Sequence, residues 1–216
     1  MGNRRSGGRP LTNDKLQDAC AQLWLDLRHA AATLPSLIVT GCGGGEGVST
    51  IAFSLGGAAL RIGSSRVLVI DASPSSNGLS ETLASGSGRG LRQFQVSDPD
   101  LIGLIKPIAA GYDLLPIGAG GRATLPSDQD LSLLQARALE SYDVVIWDVP
   151  PVTDSIEAKR LITLFGNVVL VTETDRTPCA QVIAALDEIR ALSAEPLAVL
   201  RNRAARAVFG FGTRRD

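Results

Sequence analysis

The spacing of apolar residues along the chain predicts helices and strands in turn. From Asn13 or Asp14, both suited to capping a helix, Leu16, Cys20, Leu23, Leu27 and Ala30/Ala31 recur at helical spacing. Trp24 and Leu25 add apolar surface outside that stripe. Short apolar runs at 37–39, 66–71, 112–117, 142–148, 167–172 and 197–201 read as strands. Helical spacing fills 51–60, 128–140, 155–164 and 178–192, with a short helix at 78–83 and a turn of helix between 98 and 106. Pro178 suits the first turn of its helix. Turn-forming residues at 73–77, 86–90 and 118–121 mark loops. Apolar strands alternating with helices predict an α/β fold, a mainly parallel sheet covered by helices on both faces. The expected organisation is a basic disordered arm over 1–12, a single domain over 13–204, and a flexible tail of Arg, Phe and Gly over 205–216.

Composition adds limits rather than chemistry. The 216 residues are enough for one domain with a full core, and 44% apolar with 20% charged residues is a globular balance. A net charge of −1 provides no global field for nucleic acid, so none is expected as a partner. Arginines collect at both ends: Arg4, Arg5 and Arg9, then Arg201, Arg203, Arg206, Arg214 and Arg215. They read as solvated tails or as a weak contact with an acidic partner or anionic lipid. Cys20, Cys42 and Cys179 are too far apart for a metal motif or a disulfide framework, which fits a reducing cytosol. His29, the only histidine, reads as a helix-end residue.

The chemistry concentrates in LIVTGCGGGEGVSTI, residues 37–51. A strand, a glycine turn and a helix in that order make a phosphate-binding loop, in which backbone N–H groups and a helix N-terminus face an anion. Against the pattern G-x-x-x-x-G-K-S/T, the window runs from Cys42 to Ser49. Gly43, Gly44, Gly45, Glu46, Gly47, Val48, Ser49 and Thr50 are the candidate phosphate contacts. The first glycine is Cys42 and the lysine is Val48. A hydrogen bond to a charged group contributes about 1.5–3 kcal/mol, so the loss of that lysine weakens nucleotide binding by roughly one to two orders of magnitude. Two strands end in acids, Asp71 and Asp148, and ligands of parallel sheets lie at the carboxyl ends of the strands. With Ser49 as a direct ligand, these acids suit Mg²⁺, which takes few protein ligands.

The chain resembles the cytoplasmic domain of the bacterial tyrosine autokinases of capsule and exopolysaccharide synthesis, relatives of the MinD/ParA-type P-loop ATPases. The resemblance covers residues 14–212. It rests on VTGCGGGEGVST, VLVIDASPS, NGLSETLASG, YDVVIWDVPP and VLRNR, in that order. It implies a P-loop NTPase architecture, ATP or ADP with Mg²⁺ as cofactor, and an adenine contact from Asn202. The implied partners are the cytoplasmic segment of an inner-membrane polysaccharide co-polymerase and copies of the chain itself. The implied location is cytoplasmic, peripheral to the inner membrane through that partner.

Departures from the family pattern cluster on catalysis. Val48 stands for the phosphate lysine, Ser73 for a second acid, Ser75 for an arginine, and Glu157 for an Asp after the Pro-Pro. The segment 22–28 keeps only Arg28 of the family's oligomerisation motif, and the terminal tyrosine cluster is replaced by VFGFG over 208–212. Phenylalanine has no hydroxyl to accept a phosphoryl group. The resulting expectation is a pseudokinase-like regulatory or scaffold subunit with weak or no nucleotide binding. The alternative is an active ATPase or kinase, with Asp71 and Asp148 catalytic and an arginine such as Arg61, Arg66 or Arg89 replacing the lysine. A third reading is a MinD/ParA-like positioning protein, for which the C-terminal arginines lack the regular apolar face of a membrane helix.

Overall fold

The computed structural model describes residues 14–30, 34–74, 78–83, 88–97, 100–119, 124–203 and 209–211. The basic arm, Ser75, Arg206, Arg214 and Arg215 lie outside them. Strands β1 (Ser36–Gly41), β2 (Val67–Asp71), β4 (Tyr112–Leu115), β5 (Val144–Asp148), β6 (Val168–Glu173) and β7 (Pro196–Asn202) occupy the six apolar runs. They lie parallel in one sheet, and antiparallel strands β3 (Lys106–Ala109) and β8 (Phe209–Phe211) border it, giving the order β3-β4-β2-β5-β1-β6-β7-β8.

Alternation along each strand explains why these runs are apolar throughout. Ile38, Leu68, Ile70, Val145 and Trp147 face a layer completed by α4 (Asp128–Leu139), α5 (Ile156–Phe165) and α6 (Cys179–Ala191). Leu37, Val39, Val67, Val69 and Ile146 face the opposite layer, built by α1 (Asp14–Ala30) and α2 (Val48–Arg61). A five-residue helix α3 (Leu79–Leu83) follows β2. The helix ends follow local chemistry. Ser127 caps α4 by accepting from the Asp130 N–H at 3.2 Å, while Asp130 accepts from the Ser127 N–H. Ser155 caps α5 in the same manner through the Ala158 N–H.

Three expectations change. Trp24 is inside the buried stripe of α1, because Cys20, Leu23, Trp24 and Leu27 follow the i, i+3, i+4, i+7 spacing; Leu25 remains partly exposed. Strand β3 was not foreseen: Lys106-Pro107-Ile108-Ala109 is an exposed edge with no alternation to read. Within the expected tail, Phe209–Phe211 pair with Leu200, Val199 and Ala198 of β7. The region expected to hold a turn of helix carries a single turn at Ile102–Leu104.

Strand order positions the site. Strand β1 lies between β5 and β6, while the helix that leaves it, α2, leads to β2 on the far side of β5. The chain therefore departs in opposite directions at the carboxyl end of β1, and a crevice opens there.

Candidate nucleotide-binding site

The glycine loop leaves β1 at Gly41 and enters α2 at Val48, with Gly47 as its N-cap at φ 87°. Gly47 needs the left-handed region, and a Cβ there would lie 2.4 Å from Asn202 Nδ2. The first intrahelical bond runs from the Ile51 N–H to the Gly47 carbonyl, at 3.0 Å. The N–H groups of Val48, Ser49 and Thr50 therefore start the helix without an intrahelical partner and point at the mouth of the loop. The strand, glycine turn and helix read from the sequence are in place.

Its rigidity comes largely from Glu46, which is only 3% exposed. One carboxylate oxygen accepts from the N–H groups of Cys42 (2.7 Å) and Gly43 (3.0 Å), and the other from the Thr177 hydroxyl (2.5 Å). The Glu46 carbonyl accepts from Asn202 Nδ2 at 2.8 Å, and the Cys42 carbonyl from Gln181 Nε2 at 2.9 Å and the Thr153 hydroxyl at 2.8 Å. Glu46 thus acts as a brace, and the N–H groups of Cys42 and Gly43 are already committed to it. Gly41 is required by this arrangement, since a Cβ there would meet the Glu46 carboxylate at 2.4 Å and a Val48 methyl at 3.0 Å. The Cys42 thiol is fully buried, and burial followed by the Glu46 charge pushes it up to about 12, which suppresses thiolate chemistry.

Asp71 and Asp148 end adjacent strands and are register partners. Both are fully buried, but their surroundings differ. Asp71 accepts from the Ser73 N–H (2.9 Å), the Ser80 N–H (2.8 Å) and the Ser80 hydroxyl (2.5 Å). Neither oxygen of Asp148 receives a hydrogen bond of acceptable geometry, although the nearby Ser49 hydroxyl draws its pKa down a little. Burial, then the neighbouring Asp71 charge, holds Asp148 well above the usual carboxylate range. Burial raises Asp71 as well, opposed by Ser80, Ser73 and the charge of Arg92. Two buried acids side by side retain a proton unless a cation joins them. Among the described residues no cluster of three His, Cys, Asp or Glu could hold a metal alone. Mg²⁺ takes one or two protein oxygens and keeps its waters, so Ser49 with the unpartnered Asp148 fits that ion, with Asp71 behind them.

Neither Arg61 nor Arg66 reaches the loop. Arg61 ends α2 and bonds Gln17 and Asp18 on α1. Arg66 precedes β2, at the opposite edge of the sheet, over the Tyr142 ring. Arg89 lies after α3, in the loop that leads to the single turn at Leu91–Gln93. Arg176, in the turn between β6 and α6, does reach the glycine loop. Its guanidinium lies across Gly45, with Nη1, Nη2 and Cζ at 3.2, 3.4 and 3.6 Å from where a Cβ on that glycine would be. Arg176 pairs with Glu173 at 3.1 Å, and Glu173 also pairs with Arg203.

Asn202 stands beside the loop as expected, but it is tied to the chain at both ends, Nδ2 to the Glu46 carbonyl and Oδ1 to the Arg203 N–H. One donor and one lone pair remain for a base. Glu157 pairs with Arg160 and accepts from the Leu125 N–H, a structural arrangement on α5. Sequence reasoning missed Thr177, Gln181, Ser80, Arg92 and Arg176. Ser80 lay within a quoted segment, whereas the others carry no local signal.

Comparison with known proteins agrees with this architecture. The family model described as cellulose biosynthesis protein BcsQ matches residues 34–188. The chromosome-partitioning ATPase Soj of Thermus thermophilus is 32% identical over 152 residues, 68% of this chain. That match spans only 59% of Soj. The kinase domain of the Escherichia coli tyrosine kinase ETK superposes with a TM-score of 0.73 at 20% identity, covering 98% of this chain and 89% of that one. The chimerical protein CapA2B2 superposes with a TM-score of 0.74 at 22% identity, over 87% and 84% of the two chains. These structural likenesses show the fold, and the family model together with the match to Soj places the chain among the P-loop NTPases of the MinD/ParA type.

Proposed function

The chain belongs to the BcsQ family of cellulose biosynthesis proteins, and on that premise we propose that it is a non-catalytic subunit of exopolysaccharide synthesis and export. In this reading it binds nucleotide weakly, transfers no phosphoryl group, and acts as a regulatory or scaffold partner of an inner-membrane polysaccharide co-polymerase at its cytoplasmic segment, alone or as a homo-oligomer. Among the described residues, no helix is long and apolar enough to cross a membrane, so association with the membrane would run through such a partner.

The observation that carries the reading is the placement of Val48. Its side chain packs against the apolar layer beneath α2 and beside Gly41, where it gives a phosphate no charge. Phosphoryl transfer depends on positioning and on neutralising the developing charge. Here the lysine is Val48, the second acid is Ser73, whose N–H serves Asp71, and VFGFG stands over 208–212 in place of tyrosines. If nucleotide binds, Ser49 and Asp148 would hold its Mg²⁺, which would supply charge neutralisation at the phosphates. The chain's own part would be to cradle the phosphates with the N–H groups of residues 44–50.

Binding of a fluorescent ATP analogue, with and without Mg²⁺, tests this alongside Val48→Lys. The expected result is weak or no binding by the natural protein and a gain of about 10- to 100-fold from the lysine. Sustained ATP hydrolysis or tyrosine phosphorylation by the natural protein would overturn the reading. It would favour an active enzyme of the same family that uses another phosphate-binding residue.

A further inference from the structure

We propose that Arg176 supplies the positive charge at the phosphate loop and meets the phosphates of a nucleotide bound there. The inference rests on the reading above, in which the loop binds nucleotide weakly, and it names the residue through which that binding works.

Four observations converge on Arg176. The cradle is built and braced, yet its own sequence holds only one charge, the buried Glu46 carboxylate, which is taken up by the Cys42 and Gly43 N–H groups and the Thr177 hydroxyl. An anion at the N-terminus of α2 therefore has no cation from the loop or from the start of the helix. The Arg176 guanidinium lies over Gly45, with three of its atoms 3.2–3.6 Å from where a Cβ would be, and the left-handed φ of 86° at that position suits glycine.

The arginine is also held in place rather than free. The Arg176 N–H bonds the Glu173 carbonyl at 3.3 Å, the Thr177 N–H the same carbonyl at 3.0 Å, and Asp175 takes a left-handed φ of 60° to close the turn. This turn carries Thr177, which bonds Glu46, so the turn that bears Arg176 is tied to the cradle. Finally, the charges leave a surplus. Arg176 and Arg203 share the single carboxylate of Glu173, and the Arg176 side chain is 60% exposed at the mouth of the loop. A planar guanidinium has five N–H donors, and an ion pair with one carboxylate leaves several for phosphate oxygens. An exposed Arg–Glu pair alone contributes little to stability; the position of Arg176 over the cradle is what a ligand would use.

The lysine of the usual pattern reaches the phosphates from within the loop. Arg176 would reach the same anion from the adjacent strand's turn, across the crevice between β1 and β6. Coming from a separate turn, it is set less tightly than a residue of the helix itself, which agrees with weak rather than tight binding.

The test is isothermal titration of the full chain with Mg²⁺–ATP, Mg²⁺–ADP, adenosine and inorganic triphosphate. Natural protein would be compared with Arg176→Ala, Arg176→Lys, Glu173→Gln and the double variant Arg176→Ala/Val48→Lys. Arg176→Ala is expected to raise the Kd for ATP and ADP by about 10-fold or more, with Arg176→Lys between it and the natural protein. Glu173→Gln removes the competing carboxylate and should leave binding equal or tighter, and the double variant should recover affinity. Unfolding temperatures of Arg176→Ala and Arg176→Lys should agree closely with that of the natural protein, because the residue is exposed.

A Kd within twofold of natural for Arg176→Ala would overturn the inference. So would an equal loss in Glu173→Gln, which would mean that the turn's geometry matters and not the charge. Absence of any ATP binding by the natural protein, or binding of triphosphate with no preference for ATP, would overturn it too, while leaving the non-catalytic reading in place. ATP turnover lost in Arg176→Ala would instead remove the non-catalytic reading and keep the assignment of Arg176.

Discussion

Replacing Glu46 should reveal how much of the site's order depends on one side chain. Glu46→Ala removes the acceptor for three donors: the Cys42 N–H, the Gly43 N–H and the Thr177 hydroxyl. Cys42 is completely buried, so its N–H has no water to turn to. An orphaned buried donor costs about 1–3 kcal/mol. Gly43 and Thr177 are partly exposed and can be rehydrated, so each bond lost there contributes roughly 0.5–1.5 kcal/mol. Against this, removing a carboxylate that is nearly out of water relieves its desolvation. The net expectation is a loss of about 2–3 kcal/mol. With an m-value of about 2 kcal/mol/M in urea, the midpoint should fall by roughly 1–1.5 M.

Glu46→Gln keeps the acceptor for both N–H groups and can receive or donate at Thr177, so only the charge assistance is lost, about 1 kcal/mol. The measurement is urea unfolding of the three proteins, with amide exchange at Cys42 and Gly43 as a local readout. Exchange at those two amides should accelerate in Glu46→Ala more than in Glu46→Gln. A midpoint for Glu46→Ala within about 0.25 M of the natural protein, with unchanged exchange, would refute the brace.

Two other perturbations test neighbouring parts of the site. Gly47→Ala places a Cβ 2.4 Å from Asn202 Nδ2 at a φ of 87°, so it adds left-handed strain and displaces the Asn202–Glu46 bond; a loss of roughly 2–3 kcal/mol is expected, against about 1 kcal/mol for Asn202→Ala, and equal losses in urea unfolding would contradict this geometry. Asp148 is an acid whose folded pKa is raised, so the native protein keeps a proton that the unfolded chain has released above the ordinary aspartate value of 3.8. Its favourable contribution is complete below that value and is lost as pH rises through the folded pKa. Asp148→Asn should therefore make stability, measured without Mg²⁺, less dependent on pH between mildly acid and mildly alkaline solution, and an unchanged dependence would remove the buried-proton account. Asp143 and Glu173, whose pKa values are lowered by their hydrogen bonds, tilt the profile the other way, so the comparison is between variant and natural protein.

The sequence alone determined the elements that are strongly patterned. Six apolar runs became the six parallel strands, because a strand covered on both faces must be apolar at every position. The glycine window became the cradle, because strand, tight turn and helix are local features that Gly47 and Ser49 specify without help from distant residues. Asp71 and Asp148 were legible as strand-end acids, and the sheet register then made them partners.

What the tertiary structure decided is which side chains from other parts of the chain meet that loop. Thr177 is 131 residues from Glu46, Gln181 is 139 from Cys42, and Asn202 is 156 from Glu46. No spacing rule joins positions so far apart; the strand order β5-β1-β6-β7 does so by setting the turn after β6 and the end of β7 beside the end of β1. The same order brings Arg176, which the sequence did not single out, over Gly45 of the loop. Edge strands β3 and β8 escaped for a related reason. Their pairing depends on an exposed neighbour's backbone, which any sequence can supply and no apolar pattern records.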